Sequence, residues 1–196
     1  MLIALNKPYG VICQFSDSGR HATLAKWITQ PDVYPAGRLD HDSEGLLLLT
    51  DEGPLQNAIA APDAGLVKRY WCQVEGVPVP GALERLANGV TWGKGLFARA
   101  AARAIEPANL WQRQPAIRVR RARPTSWIEI AVSEGRNRQV RHMTAVIGHP
   151  TLRLVRVGIG LLDLFELGLE PGDSRAISAA QLGLPARGRG RSSFRT

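Results

Sequence analysis

The chain has 196 residues, 44% of them apolar, with 25 Lys and Arg against 17 Asp and Glu, a formal net charge of +8. A chain of this size can hide about 70% of its unfolded surface, which excludes a disordered protein or a scaffold that depends on staples. No apolar run reaches the roughly 20 residues of a membrane span, no signal peptide opens the chain, and Cys13 and Cys72 are too few for a disulfide framework or a zinc site, so a soluble, cytoplasmic protein without a membrane partner is expected.

Short helix-like and strand-like runs alternate along the chain. Leu24, Trp27 and Ile28 stand at helical spacing and predict a helix over 23–29. Residues 33–36 predict a short extended run before a turn at Gly37. The four leucines Leu46 to Leu49, bounded by Gly45 and Asp51-Glu52-Gly53, predict a buried strand over 46–50. A helix over 54–61 is expected, with proline in its first turn and Leu55, Ala58 and Ile59 inward. Residues 68–75 alternate, with Tyr70, Cys72 and Val74 on one face of a strand and Trp71, Gln73 and Glu75 on the other. A short helix over 81–88 closes at Asn88-Gly89. Strands follow over 117–121 and 127–132, the second with Ile128, Ile130 and Val132 inward. The last predicted helix covers 137–147, with Val140, Met143 and Ile147 as its apolar stripe and Gly148 and Pro150 as stop signals. The fold class is α+β: one domain over 1–185 and a flexible, Arg-rich tail over 186–196, or two lobes divided at 106–124.

The positive charge is 21 Arg and only 4 Lys. Arginine suits planar, bidentate or stacking contacts to phosphates and bases. A biased gene composition would also raise arginine, but it does not explain the clustering. Five Arg and no acid lie between Pro107 and Ile128, five Arg and one Glu between Glu134 and Arg156, and Arg187, Arg189, Arg191 and Arg195 in the tail. Clusters of this kind fit a polyanion, most simply a nucleic acid.

Two segments can carry chemistry. In the loop Gly37-Arg38-Leu39-Asp40-His41-Asp42-Ser43-Glu44-Gly45, three acids alternate ahead of the leucine strand, which could hold the Asp40 carboxylate rigidly. Such acids could bind a divalent cation, cap the following structure, or supply a nucleophile or general acid/base. Spacing does not choose among these. In Glu134-Gly135-Arg136-Asn137-Arg138-Gln139-Val140-Arg141, a turn feeds a helix whose start presents three arginines, a favourable site for an anion. His142 and His149 read as surface or packing residues.

These segments stand in a longer ordered pattern. Asn6-Lys7-Pro8-Tyr9-Gly10, Gly37-Arg38-Leu39-Asp40 with Ser43 to Thr50, Lys68-Arg69-Tyr70 and Glu134 to Arg141 together resemble the pseudouridine synthases of the ribosomal small-subunit branch, over residues 4–164. Pro124 to Trp127, Met143-Thr144-Ala145 and Pro150 to Leu154 are most similar to members acting on large-subunit rRNA. The resemblance implies a mixed, mostly antiparallel sheet with flanking helices and a central cleft. It implies an enzyme that isomerises one uridine of 23S rRNA, free or in an assembly intermediate, using neither a metal nor an organic cofactor; a monomer is expected. Asp40 matches the family's essential aspartate, Tyr70 the tyrosine that stacks on the flipped uracil, and Arg141 the basic residue that pairs with the aspartate. Arg38 matches the arginine that fills the space left by the flipped base, and Arg136, Arg138 and Lys7 are expected to bind substrate. Two features depart from the pattern. The first family motif begins at Leu5, leaving no room for the S4-type RNA-binding domain that precedes the catalytic domain in many members, and His142 stands where an arginine is usual. The alternative is a non-catalytic RNA-binding or ribosome-assembly protein on the same scaffold.

Overall fold

The computed structural model describes residues 1–61, 65–117 and 123–184. Its main sheet is built from β1 (Leu2–Lys7), β3 (Glu44–Thr50), β4 (Lys68–Glu75), β7 (Ala101–Ile105), β8 (Thr125–Val132), β9 (Thr151–Ile159) and β11 (Ser174–Ile177). The strand order is β11-β1-β3-β9-β4-β8-β7, with short β2 (Tyr34–Pro35) on β3 and β10 (Leu162–Asp163) on β9. Within this sheet only the β3–β9 pairing is parallel. Strands β5 (Val90–Trp92) and β6 (Leu96–Ala98) form a separate ribbon, and the helices are α1 (Gly53–Ala60), α2 (Pro80–Asn88) and α3 (Gln139–Val146). The expected mixed, mostly antiparallel α+β sheet is observed. No described helix is long and apolar enough to cross a membrane.

The leucine strand shows why the sheet is stable on both faces. All seven residues of β3 are buried. Leu47 and Leu49 enter one apolar cluster with Tyr70, Cys72, Ile128, Ile130, Val140 and Met143. Leu46 and Leu48 enter another with Leu2, Ala4, Ile59 and Ile159. A strand covered on both sides needs no polar alternation, hence the unbroken apolar run. Truncating one such leucine to alanine costs about 2–5 kcal/mol. Strand β4, by contrast, is buried only at every second residue, as its alternation predicts.

Strand β9 has no such signature because Arg153 and Arg156 interrupt it. Both are buried, and each has a partner across the strand: Arg153 grips Glu44, and the Arg156 Nε donates to the Leu46 carbonyl at 2.7 Å. The β3–β9 approach also demands a glycine at position 45, where φ is +98° and a Cβ would stand 2.3 Å from the Arg156 carbonyl oxygen.

Two expectations change. The helix over 23–29 is a single 3-10 turn, Leu24–Lys26. The helix over 137–147 begins only at Gln139, because Arg138 takes a left-handed backbone with φ 50°. Within 106–117, Trp111 packs against the second apolar cluster and donates to Glu44 at 2.8 Å. The strand over 117–121, from residue 118 onward, and the tail over 186–196 lie outside the described residues.

Candidate active site

Asp40 sits on a short connection whose neighbours are anchored rather than on a free loop. The buried Leu39 before it is tied to Cys13, whose Sγ donates to the Leu39 carbonyl at 3.2 Å and accepts from the Leu39 amide at 3.4 Å. The His41 carbonyl accepts from the Gly10 amide at 2.7 Å, and the Ser43 amide closes a turn on the Asp40 carbonyl at 3.1 Å. Beyond Ser43 the chain enters β3. The Asp40 carboxylate therefore stands at the mouth of a buried strand, held on both sides.

It faces a cleft of about 640 Å³. Tyr70, from the buried face of β4, lies in its wall with Val132, Val140 and Leu154. Arg38, Arg136 and Arg138 line it too. Arg38 is exposed and makes no ion pair or hydrogen bond among the described residues, so its guanidinium is available to a ligand. A slot that joins the Tyr70 ring, the Asp40 carboxylate and several guanidiniums to a partly apolar wall is chemically suited to a planar base on a polyanionic backbone.

The arginines that begin α3 divide their work in a way the sequence does not announce. Arg138, not Arg141, meets Asp40: its Nη1 lies 3.2 Å from Asp40 Oδ2, and the same guanidinium grips Asp42 at 3.2 and 3.0 Å. Arg141 is mostly buried behind the loop and donates to the Asp42 carbonyl at 2.7 Å, with the Asp42 carboxylate 3.4 Å away. The expected direct pairing of Arg141 with Asp40 is thus corrected. Arg138, left-handed ahead of α3, reaches both loop carboxylates, while Arg141, within the helix, reaches the loop backbone. Burial pushes the Asp42 carboxyl pKa up, but hydrogen bonding from Arg138 and the charges of Arg141 and Arg138 outweigh it, leaving it below the usual aspartate value. Burial likewise pulls Arg141 below the usual arginine value against the pull of Asp42.

Lys7 also departs from expectation. It is fully buried, donating to the Val11 carbonyl at 2.8 Å and the Pro8 carbonyl at 2.9 Å, and it does not line the cleft. Burial lowers its pKa from 10.5 to about 8. It supports the turn after β1 rather than reaching a phosphate.

The three alternating acids separate. Asp40 and Asp42 share Arg138, whereas Glu44 turns inward to Arg153, and among the described residues no His, Cys, Asp and Glu cluster could hold a metal ion. Gln139, which lies within the Glu134-to-Arg141 motif but carries no expected role there, organises the turn before α3. It is buried, accepts from the Arg136 amide at 3.0 Å and donates to Glu134 at 3.0 Å. A polar residue wedged between an exposed arginine and the first apolar helix position is the signal that could have found it.

Comparison with known proteins gives the family of the chain. Residues 1–146 match a family model described as RNA pseudouridylate synthase. The chain is 51% identical to the ribosomal large subunit pseudouridine synthase E of Xanthomonas campestris pv. campestris over 189 residues, covering 92% of this chain and 100% of that protein. It is 48% identical to the protein of the same name from Vibrio vulnificus, covering 90% and 75%. It is 35% identical to the ribosomal large subunit pseudouridine synthase B of Bacillus subtilis, covering 89% and 66%. The crystal structure of a pseudouridylate synthase superposes with a TM-score of 0.75 at 26% identity, covering 93% of this chain and 72% of that one. On fold, motif order and full-length similarity together, the chain belongs to the RNA pseudouridine synthases and is an isomerase of that family.

Proposed function

We propose that this enzyme isomerises one uridine of large-subunit (23S) ribosomal RNA to pseudouridine, with Asp40 as the catalytic carboxylate. The observation that carries the reading is the juxtaposition, in one cleft, of a loop-anchored carboxylate, the Tyr70 ring and the arginines at the start of α3. The names of the relatives in Xanthomonas and Vibrio supply the choice of large-subunit RNA.

A uridine must leave its helix before its glycosidic bond is reachable, at a cost of a few kcal/mol. Stacking of the freed uracil on Tyr70 offsets about 1–3 kcal/mol of this, and Arg38 takes up the vacated space in the RNA. Asp40 then acts at the sugar or the base. The N1–C1′ bond breaks, the uracil turns within the slot, C5 bonds to C1′, and the proton lost from C5 is balanced by one gained at N1. Isomerisation needs no other reactant. Arg138 and Arg136 meet the RNA backbone, and Arg141 fixes the loop that carries Asp40.

The test is a map of pseudouridines in ribosomal RNA from cells with and without the gene, complemented with wild type or Asp40→Asn. One 23S position should lose its modification in the deletion, regain it with wild type, and stay unmodified with the variant. An unchanged map overturns the substrate; restoration by Asp40→Asn overturns the role of the aspartate.

A further inference from the structure

The ribbon β5–β6 stands beside the cleft, outside the main sheet, and leaves two large apolar side chains in solvent, Leu96 at 45% and Phe97 at 47% exposure. Single exposed apolar residues are ordinary on protein surfaces. Phe97 differs because it is held in place. Its ring lies across Gly89, where φ is +106° and a Cβ would come within 2.1 Å of the ring. The Phe97 carbonyl accepts at 3.1 Å from Arg136, whose side chain lines the cleft. Trp92, at the end of β5, stacks on His142 of α3, with ring centroids 6.3 Å apart and planes inclined by 12°. The ribbon is thereby tied to the helix that supplies the cleft's arginines.

Its charge is equally one-sided. Between Asn88 and Ile105 the sequence has Lys94, Arg99 and Arg103 and no acid. Arg103 is spent on Glu129, but Lys94 and Arg99 form no ion pair among the described residues, and the Arg99 guanidinium lies 5.8 Å from the Phe97 ring centroid. A fixed, half-exposed ring flanked by two cations without acidic partners among the described residues, one of them set against the ring itself, a short step along Arg136 from the cleft, has the make-up of a nucleic-acid stacking platform.

We infer that Phe97 is a second stacking platform, taking an unpaired base of the RNA substrate beside the target uridine, while Lys94 and Arg99 meet the adjoining phosphates. The inference rests on the reading that the cleft works on RNA. The ring contributes contact that does not depend on salt, since stacking involves no charge; the two cations contribute contact that does.

Filter binding of an unmodified 23S rRNA transcript to full-length wild type, Phe97→Ala, Phe97→Leu and Phe97→Trp, at several salt concentrations, decides the matter. The Ala and Leu variants should bind about tenfold more weakly. Trp should restore affinity, and all three salt slopes should match wild type. Arg99→Ala should instead flatten the slope by about 0.7, as loss of one contact to a single strand requires. Wild-type affinity in Phe97→Leu overturns the platform, because that variant keeps the apolar bulk and loses only the ring. Thermal unfolding separates lost stacking from lost folding, and the Leu and Trp pair still decides if the Ala variant is unstable. Pseudouridine formation by wild type on the same transcript is scored separately. Its absence would exclude the free transcript as the substrate, while the affinities would still judge Phe97.

Discussion

Asp42 and Glu44 are separated by one residue, and both pair with arginine, yet they serve different ends. Asp42 stays at the surface, sharing Arg138 with Asp40 through side chains that are 22–39% exposed. Glu44 begins β3 and is sealed: Arg153 grips both its oxygens at 2.8 Å, Trp111 adds a third bond, and the pair's side chains are 2% and 6% exposed. Water screens the Asp40–Arg138–Asp42 cluster, so its geometry adds little stability and Arg138 remains able to exchange a carboxylate for a phosphate. The second has no solvent to fall back on; losing either partner strands a charge. Identical chemistry is thus a working surface at one position and a structural bolt two residues later.

The comparison breaks most sharply at Asp40. Asp40→Asn should lower the rate of pseudouridine formation by about 10³-fold or more, in the range expected for removing a reacting group. It should leave thermal stability and, within a few-fold, RNA affinity unchanged, since arginines supply most contacts to the polyanion. Turnover near the wild-type rate would place the chemistry elsewhere.

The buried cluster should fail in the opposite sense. Arg153→Ala should cost about 3–5 kcal/mol in urea unfolding. Glu44→Leu combined with Arg153→Met should recover much of that, since an apolar pair leaves no stranded charge. A loss below about 1 kcal/mol for the single variant would mean that Glu44 finds water.

Lys7 extends the contrast to pH. Its folded pKa, about 8, lies below the ordinary 10.5, so between these values the unfolded chain holds the extra proton. Stability must therefore rise with pH across that window, while below it the buried ammonium exerts its full penalty. The rise attributable to Lys7 is about 3 kcal/mol. Denaturant titrations at about pH 7.5 and about pH 10, near the two ends of that window, should show a clearly smaller gain in Lys7→Met than in wild type; equal gains would mean that Lys7 is solvated when folded.

The smallest effect belongs to the screened cluster. Asp42→Asn should change stability by less than about 1 kcal/mol, and the difference should shrink further in high salt. A salt-independent loss of several kcal/mol would show that this pair is shielded after all.

Local pattern made much of this legible. The alternation over 68–75 assigned Tyr70 to the buried face, and the leucine run assigned 46–50 to a covered strand, because each strand's surroundings leave a period in its own residues. Strand β9 left none. Its arginines become tolerable only when Glu44, 109 residues away, and the Leu46 carbonyl arrive beside them. Lys7 misled for a related reason: nothing within its motif says whether an ammonium faces solvent or two backbone carbonyls.

By itself, then, the sequence determined the α+β class, the ordered motifs and the loop that carries Asp40, all of which depend on spacing over a few residues. Only the tertiary structure decided that Arg138 rather than Arg141 meets Asp40, that Glu44 turns away from its neighbours, and that Phe97 comes to rest beside Arg136. Those outcomes hinge on a left-handed residue ahead of α3 and on partners brought together across the sheet. Charge pairing is settled by distance in space, to which separation along the chain is no guide.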